Sequence, residues 1–186
     1  MGEVRPMRAD ARRNRAHIIE VAREVVELQG TMCSLDVVAR AAGVGAGTLY
    51  RHFPTREDLL ATILAEWVER VTADGADFRV EDEQSLRAWL DRLLDHATRF
   101  KGLSSALLAA TASHESPLQD AYGSLLQANR DVLAQAAESG VVASSVDADG
   151  VAFAVAGAAL VAEQTGGGKA AAQPILDIVA AGISLS

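Results

Sequence analysis

Cysteine is all but missing from this 186-residue chain. The one thiol, Cys33, has no second cysteine to pair with, so an intrachain disulfide is excluded. A lone cysteine beside a helix start reads first as a small buried hydrophobe rather than as a redox sensor. Proline is scarce, four in all, and alternating β-branched runs are few, so an all-α fold is expected. Long apolar runs are absent too: the longest, residues 151–162, falls well short of the roughly twenty residues a membrane span requires. The opening MGEVRPMRADARRNR is basic and lacks an apolar core, so no secretory signal is expected and a cytoplasmic location is.

Catalytic constellations are lacking as well. There is no phosphate-binding glycine motif, no nucleophile elbow and no His/Cys set at ligand spacing. Gly166, Gly167 and Gly168 precede a helical stretch without the strand or lysine of a phosphate loop, and read as a linker. His96 and His114 have no paired His or Cys, so metal binding is not expected; nor is a cofactor or an enzymatic activity.

Basic charge is short overall, with 17 Lys and Arg against 25 acids and a net charge of −8, which taken as a sum disfavours nucleic acid. Its distribution reverses that reading. Residues 1–56 hold nine arginines against six acids, a balance of +3, whereas residues 57–186 hold eight Lys and Arg against nineteen acids, a balance of −11. A basic end on an acidic body confines contact with DNA to that end.

The informative stretch lies in the basic end, SLDVVARAAGVGAGTLYRHF over residues 34–53. Leu35, Val38, Ala39 and Ala42 fall at i, i+3, i+4 and i+7, one helical face, with Ser34 placed as N-cap. Gly43 stands where a helix stop calls for left-handed backbone, and Val44 is an apolar plug before a second helix from about Ala46. That helix turns Leu49 and Phe53 inward and leaves Thr48, Tyr50, Arg51 and His52 to point elsewhere, with small Ala46 and Gly47 at its tip. Such a face fits a major groove; the plainer alternative is a solvated surface helix.

These residues, and above all AAGVGAGTLYRHFPTREDLL, resemble the DNA-binding domain of the TetR family of bacterial transcriptional regulators, over residues 15–60. Val26 departs from the aromatic residue usual in the family, Val38 from Ile, and Arg56 from Lys. The resemblance implies a helix-turn-helix domain over residues 12–56 and a helical ligand-binding and dimerisation domain over 57–186. It implies DNA contacts by Ser34, Ala46, Gly47, Thr48, Tyr50, Arg51, His52 and Arg56, a duplex operator, and repression.

Elsewhere the pattern is helical throughout. Residues 1–11 read as disordered, with a first helix over 12–29 ended by Gly30. Thr55 caps a helix with Asp58 at N3, and its stripe from Leu59 to Val71 is long enough to join both halves. Residues 75–82 read as a linker. Further helices are expected over 84–100, 103–112, from 117, over 147–164 and over 172–185, the last with Pro174 in its first turn.

Two groups in the acidic half carry expectations. Trp67, Trp89, Phe100, Tyr122 and Asn129 lie on inward stripes. Aromatic stripes are ordinarily core, and the alternative is a cavity in which Tyr122 and Asn129 orient a small apolar effector, as family members bind an inducer between such helices. Gly150, Ala154, Gly157, Ala158 and Val161 form a small-residue face, which with Ile175, Val179 and Ile183 predicts a four-helix homodimer interface on a palindromic operator; the alternative is a monomer core. The expected function is a transcriptional repressor released by a ligand. An activator or ligand-independent regulator shares every one of these features, and a helical small-molecule binder whose N-terminal helices merely pack is a further competitor.

Overall fold

In this computed structural model the backbone is described for residues 4–111 and 116–185, and side chains for 10–65, 67–110 and 116–185. His114 lies outside the described residues. The described chain is built from helices: α1 (Val4–Gln29), α2 (Leu35–Ala41), α3 (Ala46–His52), α4 (Arg56–Asp77), α5 (Glu83–Ala97), α6 (Leu103–Thr111), α7 (Leu118–Glu138), α8 (Ala148–Thr165) and α9 (Gly168–Ile183). No strand is formed among them; one isolated bridge pairs Val142 with Ser184. No described helix is long and apolar enough to cross a membrane.

Four boundaries differ from the sequence reading by three residues or more, each for a physical reason; α5 ends at Ala97 rather than at Phe100, closed by the Thr98 N–H on the Leu94 carbonyl. α1 begins at Val4 rather than near residue 12. Pro6 falls in its first turn, where the missing N–H has no intrahelical acceptor anyway, and the Arg and Ala that follow are good helix formers. α4 continues through Gly75, the start of the expected linker, to Asp77. A Cβ at Gly75 would lie 3.4 Å from both the Ala128 Cβ and the Trp89 ring, so this glycine permits close packing of α4 on α7 rather than a break. α9 begins at Gly168, four residues early, which leaves Pro174 inside the helix instead of in its first turn. Ala170, Ala171 and Ala172 favour helix, and Pro174 is exposed, so its lost hydrogen bond falls on the solvent side.

Two apolar cores result, and they do not divide at residue 56. The first joins α1, α2 and α3 to α4 from Leu59 to Val71, and also takes in Phe100, Leu103, Leu107 and Ala110 around α6 and Leu118 at the start of α7. The second is built by α5, the later part of α7, α8 and α9, with Trp89 at its centre. α4, about 33 Å long at 1.5 Å per residue, therefore runs out of the basic N-terminal end and along the bundle.

A second link between the halves is made by backbone. Gly30 and Gly102 both have positive φ, 86° and 77°. These turns bring the Thr31 N–H to the Lys101 carbonyl at 2.8 Å, and the Gly102 N–H donates to Glu163 Oε2 of α8 at 3.0 Å. A Cβ at Gly102 would sit 2.7 Å from Thr31 Oγ1, so only glycine fits that approach.

Candidate DNA-reading helix and ligand cavity

At the basic end, Ser34 Oγ accepts from the Val37 N–H at 3.3 Å and caps α2. Gly43, at φ 65°, reverses the chain while the Val44 N–H donates to the Ala39 carbonyl at 3.0 Å, closing the helix stop that the sequence implies. α3 then starts from Gly45 and buries Leu49 fully, with Phe53 beneath its end. Ala46, Gly47, Tyr50 and Arg51 are exposed, and Thr48 and His52 are partly so. No atom lies within 4 Å of a Cβ built at Gly47, so the tip of α3 faces open space.

The frame behind α3 is held by groups that periodicity does not disclose. His17 Nε2 is 3.2 Å from the Ala42 carbonyl, fastening α1 to the end of α2. The Arg15 guanidinium lies over the Phe53 ring at 5.1 Å from its centroid. Thr55 and Asp58 form the reciprocal cap of α4, at 3.1 Å and 3.0 Å, fixing where α4 leaves α3.

Arg56 is placed differently from the other expected contacts. Its guanidinium is 3.1 Å from Glu57 Oε1 and 3.5 Å from Met32 Sδ, it is about two-thirds buried, and its Nε has no hydrogen-bond partner among the described residues. It lines a cleft of about 630 Å³ between α4 and α6. The cause is local: Glu57 is its neighbour and competes for it. The same guanidinium partly offsets the burial that pushes the Cys33 thiol up, and Cys33 is the small buried hydrophobe its setting suggests.

In the bundle, a cavity of about 80 Å³ lies among α4, α5, α6, α7 and α8. Of the five residues expected around a ligand, Trp67, Tyr122 and Asn129 line it and two do not. Trp89 is wholly buried, its Nε1 donating to Asn129 Oδ1 at 3.1 Å and its ring 5.2 Å from that of Phe78. Phe100 stands behind Trp67 in an edge contact at 6.3 Å. Asn129 reaches the cavity wall with its amide already engaged, since Nδ2 donates to the Ala148 carbonyl at 2.6 Å; it is a packing group, not a free handle. The wall also includes Leu107 and Leu108 of α6, for which the apolar character of that short helix was the available signal, and His96. Burial pushes the His96 imidazole below its usual pKa, against the pull of Asp74, whose Oδ2 is 3.6 Å from Nε2.

The expected dimer residues also separate. Ala158 is fully buried in its own chain, because at i+8 from Gly150 it has drifted round to the face carrying Val151, Val155 and Ala162. Gly150 packs on the Asp147 carboxylate, and Ile175, Val179 and Ile183 rest partly buried against the second core. Ala154, Gly157 and Val161 remain at or near the surface. Beside them are exposed Phe153 and, on α9, Ile178, which is 73% exposed. The Phe153 ring lies 6.5 Å from that of Tyr122.

Comparison with known proteins identifies the chain. Residues 18–63 match the family model for bacterial regulatory proteins of the tetR family, and residues 81–185 match the C-terminal domain of SbtR-like transcriptional regulators. A solved TetR transcriptional regulator from Streptomyces coelicolor is 33% identical, with a TM-score of 0.60 over 92% of this chain and 99% of that one. A TetR regulator from Mycobacterium vanbaalenii is 27% identical, with a TM-score of 0.54 over 97% and 100%. A curated HTH-type transcriptional regulator from Staphylococcus aureus is 31% identical over 103 residues, 55% of each chain, so the chain spans about half the length of the curated relatives it matches. With both its helix-turn-helix and its C-terminal bundle matched, this chain belongs to the TetR family of DNA-binding transcriptional regulators.

Proposed function

We propose that the protein is a homodimeric repressor that reads a palindromic operator with α3 and is released by a small molecule held in the bundle cavity. The observation that carries this reading is the position of α4. Its capped start sets α3, and Trp67 in its middle forms part of the cavity wall, so one rigid helix borders both sites. In this reading residues 12–56 form the DNA-binding unit and 57–186 the effector and dimerisation unit. Tyr50, Thr48 and His52 contact phosphates chiefly, Arg51 adds charge, and Ala46 and Gly47 allow close approach to base edges. The exposed strip of Phe153, Gly157, Val161 and Ile178 is the dimer face, which spaces the two α3 helices for adjacent major grooves.

Release follows if effector binding tilts α4 and separates the two reading heads. A fold neighbour, FadR from Bacillus subtilis, was solved in complex with stearoyl-CoA; its 17% identity shows a shared fold only. The test begins with selection of bound sequences from a random duplex pool, followed by retardation assays on the site recovered. A palindrome bound by two chains is expected, and Gly47→Glu should abolish binding without unfolding the protein, since that position faces open space. Recovery of no preferred sequence would defeat the operator reading.

A second reading, a regulator that answers to no ligand, draws on the size of the cavity. About 80 Å³ is below the roughly 300 Å³ at which ligand pockets begin. Operator affinity unchanged by every compound that stabilises the protein in a thermal-shift screen would establish it.

A further inference from the structure

The cavity's polar atoms divide into those already used and those not. Asn129 spends its amide on Trp89 and Ala148, and Ser104 Oγ donates to the Ala97 carbonyl at 3.2 Å. Trp67 Nε1 and Tyr122 Oη, both withdrawn from solvent, have no hydrogen-bond partner among the described residues. Trp67 as a whole is only 5% exposed. An indole N–H can only donate, and a phenol that keeps its proton donates as well. Burial and the nearby Asp149 carboxylate both favour the protonated phenol. His96 Nε2, on the same wall, also lacks a hydrogen bond among the described residues, but Asp74 Oδ2 stands 3.6 Å from it; the donors left without a facing acceptor are those of Trp67 and Tyr122.

The charges around them decide what kind of acceptor fits. Among the described residues no lysine or arginine lines the cavity. Arg92 faces Asp74 at 3.6 Å and lies over the Phe78 ring, and Asp149, beside Tyr122, is held by Arg130 at 2.6 Å. A carboxylate entering here would be stripped of water with no cation to receive it, whereas a pure hydrocarbon would leave both donors unpaired.

We propose that this cavity takes a small uncharged compound with an apolar body, one ring or a short chain, and a carbonyl oxygen that accepts from Trp67 Nε1 and Tyr122 Oη. This rests on the reading of the cavity as the effector site and narrows its chemical class. It also reassigns the polar handle from Asn129 to Trp67. A single ring already exceeds the present space of about 80 Å³, since a cavity of about 150 Å³ is what holds benzene, so the compound enters by moving the lining helices apart, α4 among them.

The test uses the full chain with ¹⁵N-labelled tryptophan and three probes of one size: acetophenone, ethylbenzene, which lacks the carbonyl, and benzoate, which is charged. Only Trp67 and Trp89 give indole signals, and Trp67→Phe assigns them. Acetophenone should bind roughly tenfold tighter than ethylbenzene, the return on one or two buried neutral hydrogen bonds. It should move the Trp67 indole resonance and leave that of Trp89 in place. Trp67→Phe and Tyr122→Phe should each cut the preference at least threefold while ethylbenzene still binds, which also shows that the variants fold. Equal binding of acetophenone and ethylbenzene would overturn the carbonyl assignment while leaving the cavity as an apolar site. Benzoate binding tightest would overturn the uncharged class. Saturable binding of none of the three would overturn the effector site itself, and the carbonyl class with it.

Discussion

The Trp89 indole and the Asn129 amide hold each other across 40 positions of sequence. Nε1 donates to Oδ1 at 3.1 Å, and Asn129 passes the connection to the Ala148 carbonyl, tying α5, α7 and the first turn of α8 together. Removing Asn129 takes a partner from a buried donor, the Trp89 indole, and from a half-buried acceptor, the Ala148 carbonyl, at once. A buried unpaired group costs about 1 to 3 kcal/mol and the half-buried carbonyl less, so Asn129→Ala should lower stability by roughly 2 to 4 kcal/mol in urea unfolding. Trp67→Phe, which removes a donor that has no partner, should cost less. An Asn129 variant as stable as the parent would show that the pair does not carry load in the fold.

At the DNA end, Arg51 and Arg56 should behave differently although both lie in the basic segment. Arg51 is exposed on α3, whereas Arg56 is ion-paired with Glu57 and turned toward the cleft beneath it. Arg51→Ala should weaken binding to all sequences alike and reduce the slope of log affinity against log salt by about one unit. Arg56→Ala should leave that slope nearly unchanged. Retardation or fluorescence-anisotropy titrations over a range of salt distinguish the two, and equal slopes for both variants would restore Arg56 to the phosphate contacts.

The helix-turn-helix was legible because its information is local. Gly43, the Leu35 to Ala42 stripe and the Thr55 to Asp58 cap each specify backbone within a turn or two, and the structure has them at φ 65°, on the buried face and in hydrogen-bond contact respectively. What misled were residues whose meaning depends on a distant partner. Gly75 looks like a linker until Ala128 and Trp89 are seen against it. Asn129 on an apolar stripe looks like a ligand handle until Trp89 and Ala148 are found to use it. Periodicity marked Trp67 and Trp89 alike as inward, but which indole keeps a free N–H is decided by packing across four helices.

The His96 ring supplies a pH dependence. Its pKa is lowered, first by burial, with Arg92 also lowering it and Asp74 and Asp95 acting the other way. A histidine with a depressed folded-state pKa binds fewer protons folded than unfolded, so stability rises with pH through this region. The contribution is complete above the ordinary histidine pKa of about 6.5 and is lost as pH falls below it toward the folded value. Melting temperature should therefore drop between about pH 6.5 and 5 by more in the parent than in His96→Asn. Parallel melting curves for the two proteins would mean that His96 is not the group responsible.

The dimer face gives the sharpest substitution. On the sequence alone, Gly157 suits either close approach of a second chain or an overpacked monomer core, and in the core a leucine would be destabilising by about 1 to 3 kcal/mol. In the structure a Cβ at Gly157 meets nothing within 4 Å, so a larger side chain has room and the cost of overpacking within one chain falls away. Leucine is also the better helix former, by somewhat less than about 1 kcal/mol in a helix interior. Gly157→Leu should thus leave the isolated chain at least as stable as before. Its neighbours on the open strip are Phe153 and Val161, 44% and 40% exposed, with Ile178 on the adjacent helix. A leucine projecting from the middle of that strip would hold a second copy away. The variant should sediment as a folded monomer where the parent sediments as a dimer, keep its helical circular dichroism, and lose most operator affinity, because one head binding a half-site forfeits the second set of contacts. A variant that still sediments as the parent does, with operator affinity intact, would place the interface elsewhere on the molecule.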